Sequence, residues 1–140
     1  MSDQILSLKL LGYWTDEQLG EIPDISGIFC VYAGTAAADG EPGIERLLYI
    51  GESGDVRQRI RHHELRAEWT RRLEPGETLC YSIAAATYVY RERLEAALVN
   101  VHKPPVNQDY IDRFPFDKTE MHLRGRTDKL MSQFIVERSD

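Results

Sequence analysis

An α+β fold with a small antiparallel sheet is the class this sequence predicts. Strand and helix signals run in the order β-β-α-β-α, and strands that do not alternate with helices argue against stacked βαβ units. The first two strand signals have no helix between them, which most simply makes an antiparallel hairpin with a long connection. A length of 140 residues suits one domain, 1–140, with a proper hydrophobic core.

Gly27 to Ala33, Gly-Ile-Phe-Cys-Val-Tyr-Ala, is rich in β-branched and aromatic residues and reads as a buried strand. Ala33 to Arg46, rich in Ala, Gly, Asp and Pro, reads as a loop. Leu47 to Gly51 is a second short strand. Asp55 then opens a helix, with Gln58 as its capping-box partner. Val56, Ile60, His63 and Ala67 share one face of it, while Leu65, Trp69 and Leu73 fall on the other. Such a helix is either buried on two sides or broken near Glu64 to Arg66. Thr78 to Ala84 follows the turn Glu74-Pro75-Gly76 as a third strand. Arg91 to Lys103 is the clearest helix, with Leu94, Ala97, Leu98 and Val101 in one stripe and Pro104-Pro105 as its stop. The tail from Glu120 to Glu137 suggests a hairpin around Gly125 or Asp128, and Ile5 to Trp14 fits a strand or a short helix.

The net charge of −6 speaks against a nucleic-acid partner, but its distribution is uneven. Residues 1–46 hold two basic and eight acidic side chains, whereas residues 47–72 hold six arginines against four acids. Arg57, Arg59, Arg61, Arg66, Arg71 and Arg72 therefore form the only net-basic block. Nucleic-acid binding draws on local charge facing phosphates; a solvated mixed-charge helix is the competing reading. If the block binds DNA, the acidic stretch up to Arg46 should face away from it. No apolar run approaches the roughly 18 residues of a membrane helix. Met1-Ser2-Asp3-Gln4 lacks a signal-peptide layout, and Cys30 and Cys80 have no metal-type spacing. These features predict no membrane partner and a cytoplasmic location with reduced, buried thiols.

Gly27-Ile28-Phe29 on the first strand and Tyr49-Ile50-Gly51 on the second resemble the paired signature of the GIY-YIG endonuclease domain superfamily. Arg59 lies ten residues after Tyr49, where that family carries its catalytic arginine, and His63 is one helical turn further on, as in some members. Glu95 corresponds to the family's metal-binding glutamate, and Pro104-Pro105-Val106-Asn107 resembles the segment that ends in its asparagine. The resemblance covers about residues 27–107, with 108–140 as a C-terminal extension. It implies a small three-stranded antiparallel sheet flanked by helices, decorated at both termini. It also implies a metal-dependent DNA endonuclease using Mg²⁺ or Mn²⁺.

The residues suit that chemistry. Cutting a phosphodiester needs an activated water, neutralised phosphate charge and a stabilised leaving oxygen. Arg59 supplies a planar, permanently charged fork for phosphate oxygens. Glu95 supplies a hard oxygen ligand for the metal. His63 can accept a proton or contact phosphate, and Tyr49 can orient or deprotonate water once its pKa, ordinarily near ~10, is lowered. Phe29, Gly51 and Asn107 are supporting residues, and Arg57, Arg61 and Arg66 are candidate nucleic-acid contacts. One alternative for Glu95 is an i, i+4 pair with Arg91.

Phe29 departs from the family pattern, which places a tyrosine implicated in handling the attacking water. Tyr32 is an odd number of positions along the strand and should face the other side of the sheet. Glu52 stands where the excision-repair members carry lysine. A catalytically weak or inactive module that binds nucleic acid or a protein partner is therefore the second reading. In either case, specificity would come from the 33–46 loop, the termini, self-association or a partner.

Overall fold

The N-terminal segment resolves as a twelve-residue strand, and that strand decides the architecture. The computed structural model describes residues 2–36 and 39–139. In chain order it contains β1 (Gln4–Thr15), a short 3₁₀ helix (Asp16–Glu21), β2 (Gly27–Thr35), β3 (Gly43–Ser53), α1 (Val56–Arg61), α2 (Arg66–Arg71), β4 (Thr78–Ala85), α3 (Tyr88–His102), β5 (Thr119–Gly125) and β6 (Gln133–Val136). The strands form one six-stranded sheet in the order β3-β2-β4-β1-β5-β6.

The expected small three-stranded antiparallel sheet flanked by helices is thus overturned. β2, β3 and β4 do pair antiparallel, but they are half of a larger, mixed sheet. The first residues of β1 run parallel to β5, and its last residues run antiparallel to β4. Leu8 and Leu10 are buried while Ser7, Lys9 and Leu11 are exposed, the period-two pattern of a half-buried strand. Gly12 lets β1 change partners. Its φ is +150°, a Cβ there would stand 3.0 Å from the Tyr81 carbonyl oxygen, and the register with β4 shifts between Gly12 and Trp14. The terminal segments read as decorations are therefore sheet. The expected tail hairpin is present as antiparallel β5 and β6.

The loop expected at Ala33 to Arg46 is shorter, because β2 runs on to Thr35 and β3 begins at Gly43. Ala37 and Ala38, within that expected loop, lie outside the described residues. The helix expected after Asp55 is broken. The Asp55 carboxylate caps α1 by accepting the Gln58 N–H at 3.1 Å, and the chain turns at residues 62–65 before α2 begins. The break lets Val56, Ile60 and Trp69, expected on opposite helix faces, reach one core.

β2 is buried on both sides up to Thr35. Ile28, Cys30 and Tyr32 join the core that includes Leu94, Ala97 and Leu98 of α3, whereas Phe29, Val31 and Ala33 join the core that includes α1 and α2. Tyr32 accordingly faces away from Phe29, and its hydroxyl meets that of Ser82 at 3.0 Å. Among the described residues, no helix is long and apolar enough to cross a membrane.

Candidate functional site

A cavity of ≈ 470 Å³ opens beside the end of β3, lined by Phe29, Tyr49, Gly51, Arg59, His63, Glu95 and Asn107 among others. Four elements, β2, β3, α1 and α3, and the segments that follow α1 and α3 supply these residues. The YIG-like triplet is shaped by packing as well as by any chemistry. Phe29 pairs with Gly51 across the strands, and its ring lies so close that a Cβ on residue 51 would come within 2.4 Å of it. Glycine is the residue that admits the ring.

Asn107 completes the strand edge. Its Oδ1 accepts the Ile50 N–H at 2.9 Å, and its Nδ2 donates to the Ile50 carbonyl at 2.8 Å. One position earlier, the Val106 N–H donates to the Leu48 carbonyl at 3.1 Å. The segment after Pro104-Pro105 therefore covers backbone groups of β3, which stands at one end of the strand order.

Glu95 enters the cavity from α3 without the Arg91 pairing that its spacing allows. Arg91 instead donates to Glu52 at 2.8 Å and to the Ser26 hydroxyl at 2.9 Å. Burial, reinforced by the charges of Glu52, Glu92 and Asp109, pushes the Glu95 carboxyl up to about 8. A partly buried carboxylate facing other acids favours a cation. Among the described residues, no group of three or more His, Cys, Asp or Glu is placed to hold a metal ion. Mg²⁺ commonly takes only one or two protein carboxylates, with water and phosphate oxygens completing its shell, so a cation held here would rest on few protein ligands. Glu95 would be its protein ligand.

Tyr49 is flanked by His63 and Trp69, with ring centroids at 5.0 and 5.5 Å. Burial, then the charge of Glu95, pushes its hydroxyl up to about 12, against a smaller lowering by Arg59. The lowered pKa that base action would need is thus not supplied by Arg59. The His63 side chain is 1% exposed. Its Nδ1 accepts the Leu65 N–H at 3.0 Å, and its buried Nε2 has no hydrogen-bond partner among the described residues. Burial, then Arg59, lowers its pKa to about 4, leaving a neutral ring whose hydrogen is on Nε2.

Arg59 reaches the cavity but is engaged. Its two terminal nitrogens donate to the two oxygens of Glu64 at 2.7 and 2.9 Å. Sequence spacing hid Glu64, since five residues on an unbroken helix do not share a face; the break after α1 brings it back. Asp109, two residues past Asn107, also joins the lining.

The other arginines do not converge here. Arg57 points to the Ile22 carbonyl and Asp24 at 3.4 and 3.5 Å, and Arg61 lies beside Gly20. Arg66 donates to Asp16 at 2.8 Å and to the Tyr81 hydroxyl at 3.2 Å. Asp16 and Asp24 belong to the acidic N-terminal stretch, so that stretch approaches the basic block instead of facing away. No family model matches this chain, and neither a curated protein nor a solved structure matches it.

Proposed function

We propose that the chain is a GIY-YIG-like, metal-dependent phosphodiesterase whose substrate is DNA. The observation that carries this reading is the meeting of Tyr49, Arg59 and Glu95 in one cavity, with Asn107 bracing the strand that bears Tyr49. Arg59 binds and orients a phosphate through its fork. Glu95 holds the cation, which when bound supplies positive charge at the phosphate. Tyr49, kept protonated, positions a water by donating to it or accepting from it. His63, with Nδ1 committed to the backbone, braces the Tyr49 ring and leaves proton abstraction to another group. The fully buried Phe29 shapes the floor of the cavity without a proton to give. A cytoplasmic location belongs to the same reading, supported by two buried, unpaired cysteines.

One observation favours the second reading, a module that binds nucleic acid or a protein partner and cuts slowly or not at all. Phe29 has no proton to move, and burial holds the Tyr49 hydroxyl protonated well above neutral pH, so neither strand aromatic serves as the base. A nicking assay on supercoiled, branched and single-stranded DNA, with Mg²⁺ or Mn²⁺ and a Glu95→Ala control, separates the two. Cleavage lost in the variant supports the enzyme; no cleavage of any form supports the module.

A further inference from the structure

The geometry of Arg59 raises a question that the phosphodiesterase reading alone does not answer. A guanidinium offers carboxylates and phosphates the same planar fork, and here both terminal nitrogens already carry the two Glu64 oxygens, at 2.7 and 2.9 Å. Glu64 stands on the turn between α1 and α2 with its side chain 65% exposed. The Arg59 hydrogen bonds are the main cause of a carboxyl pushed down to about 2. Both residues line the same cavity as Tyr49 and Glu95.

We infer that Glu64 is a specificity-determining residue that occupies the phosphate-binding fork of Arg59 in the free protein and must be displaced by the substrate's phosphate. The inference rests on the reading of this cavity as a phosphate site. An exposed ion pair is weakly held because water and salt compete for both partners, so the exchange is reversible. It is also selective. A simple anion gains little by replacing a carboxylate tethered beside the fork, since the tether gives Glu64 a high effective concentration. A phosphodiester that also meets the Glu95-held cation gains contacts that Glu64 cannot match. Glu64 thereby discriminates against small anions and against nucleic acid bound without metal.

The test compares E64Q with D109N, which removes another exposed cavity acid that has no hydrogen bond to Arg59. For a labelled phosphorothioate oligonucleotide in EDTA, E64Q should bind about three- to fivefold tighter than wild type, and D109N should gain distinctly less. Equal gains would reduce the effect to the general field of the cavity and overturn the inference, as would no gain from E64Q. Inorganic phosphate, followed through the Arg59 Nε–Hε NMR signal, gives a readout independent of DNA. E64Q should respond at lower phosphate than wild type; an equal threshold, or no response in either protein, overturns the exchange. Phosphate that competes with Glu64 while no DNA form is cut would sink the nuclease reading and leave the exchange standing. Glu95-dependent cleavage with identical phosphate thresholds would do the reverse.

Discussion

Replacing Glu95 with glutamine should make the protein more stable above neutral pH, in a way that wild type can recover by binding metal. The Glu95 carboxyl titrates at about 8, against an ordinary value of 4.5. The folded state therefore holds this proton after the unfolded chain has lost it, and folding stability falls as pH rises between those two values. Below 4.5 both states are protonated and the carboxyl costs nothing; above 8 the full cost of a charged, crowded carboxylate is present. At pH 7 the cost is on the order of 3 kcal/mol, from roughly 1.4 kcal/mol for each tenfold change in proton affinity. At about 3 °C per kcal/mol for a chain of this size, that is roughly 10 °C in Tm. Thermal denaturation of wild type and Glu95→Gln across this pH range should give curves that coincide in acid and diverge upward for the variant. Added Mg²⁺ at alkaline pH should raise the Tm of wild type and leave the variant unmoved. Parallel curves at every pH would refute the raised pKa, and a Tm indifferent to Mg²⁺ and Mn²⁺ would refute the metal site.

Arg59→Ala should slow metal-dependent nicking by roughly 10²-fold, as expected for losing a group that stabilises charge on the phosphate; unaltered nicking would remove Arg59 from the chemistry. Phe29→Tyr adds a hydroxyl at the cavity and should raise cleavage by about 10²-fold if proton transfer limits wild type, whereas no gain alongside Glu95-dependent cutting would shift water handling to Tyr49. Gly51→Ala forces a methyl into the Phe29 ring and should cost about 1–3 kcal/mol in chemical denaturation. Asn107→Leu leaves the Ile50 N–H and carbonyl without their side-chain partner, so the Ile50 amide should lose hydrogen-exchange protection worth about 1–3 kcal/mol.

Where local chemistry dominated, the sequence was readable. The apolar β-branched runs became β2 and β4, the Asp55 cap and the proline stop bounded α1 and α3, and two conflicting apolar faces marked the break between α1 and α2. The sheet as a whole was not readable, because strand partners are set by long-range pairing. Nothing local in Ile5 to Trp14 reveals that one half will lie along β5 and the other along β4. Gly12, the hinge between those halves, looks in the sequence like any loop glycine. The terminal strands lie outside the motif-bearing stretch 27–107, so no motif marks them as sheet.

The site divides along the same physical line. Residues fixed by the backbone frame, Phe29, Tyr49, Gly51, Arg59, Glu95 and Asn107, could be selected through the family resemblance, and they meet at one cavity. Their electrostatic state could not, because it depends on neighbours that spacing does not name. Glu52 takes Arg91 and leaves Glu95 facing acids. Asp16 and Asp24 take Arg66 and Arg57 out of the supposed DNA surface. The net-basic block is therefore largely compensated within the fold, and its formal charge overstates what a phosphate backbone would meet. Binding that depends on one freed arginine and one held cation would show a shallow salt dependence, since few phosphate contacts release few counterions. A steep salt dependence would require Arg57 and Arg66 to leave their carboxylates, and neutralising Asp16 or Asp24 should then strengthen binding.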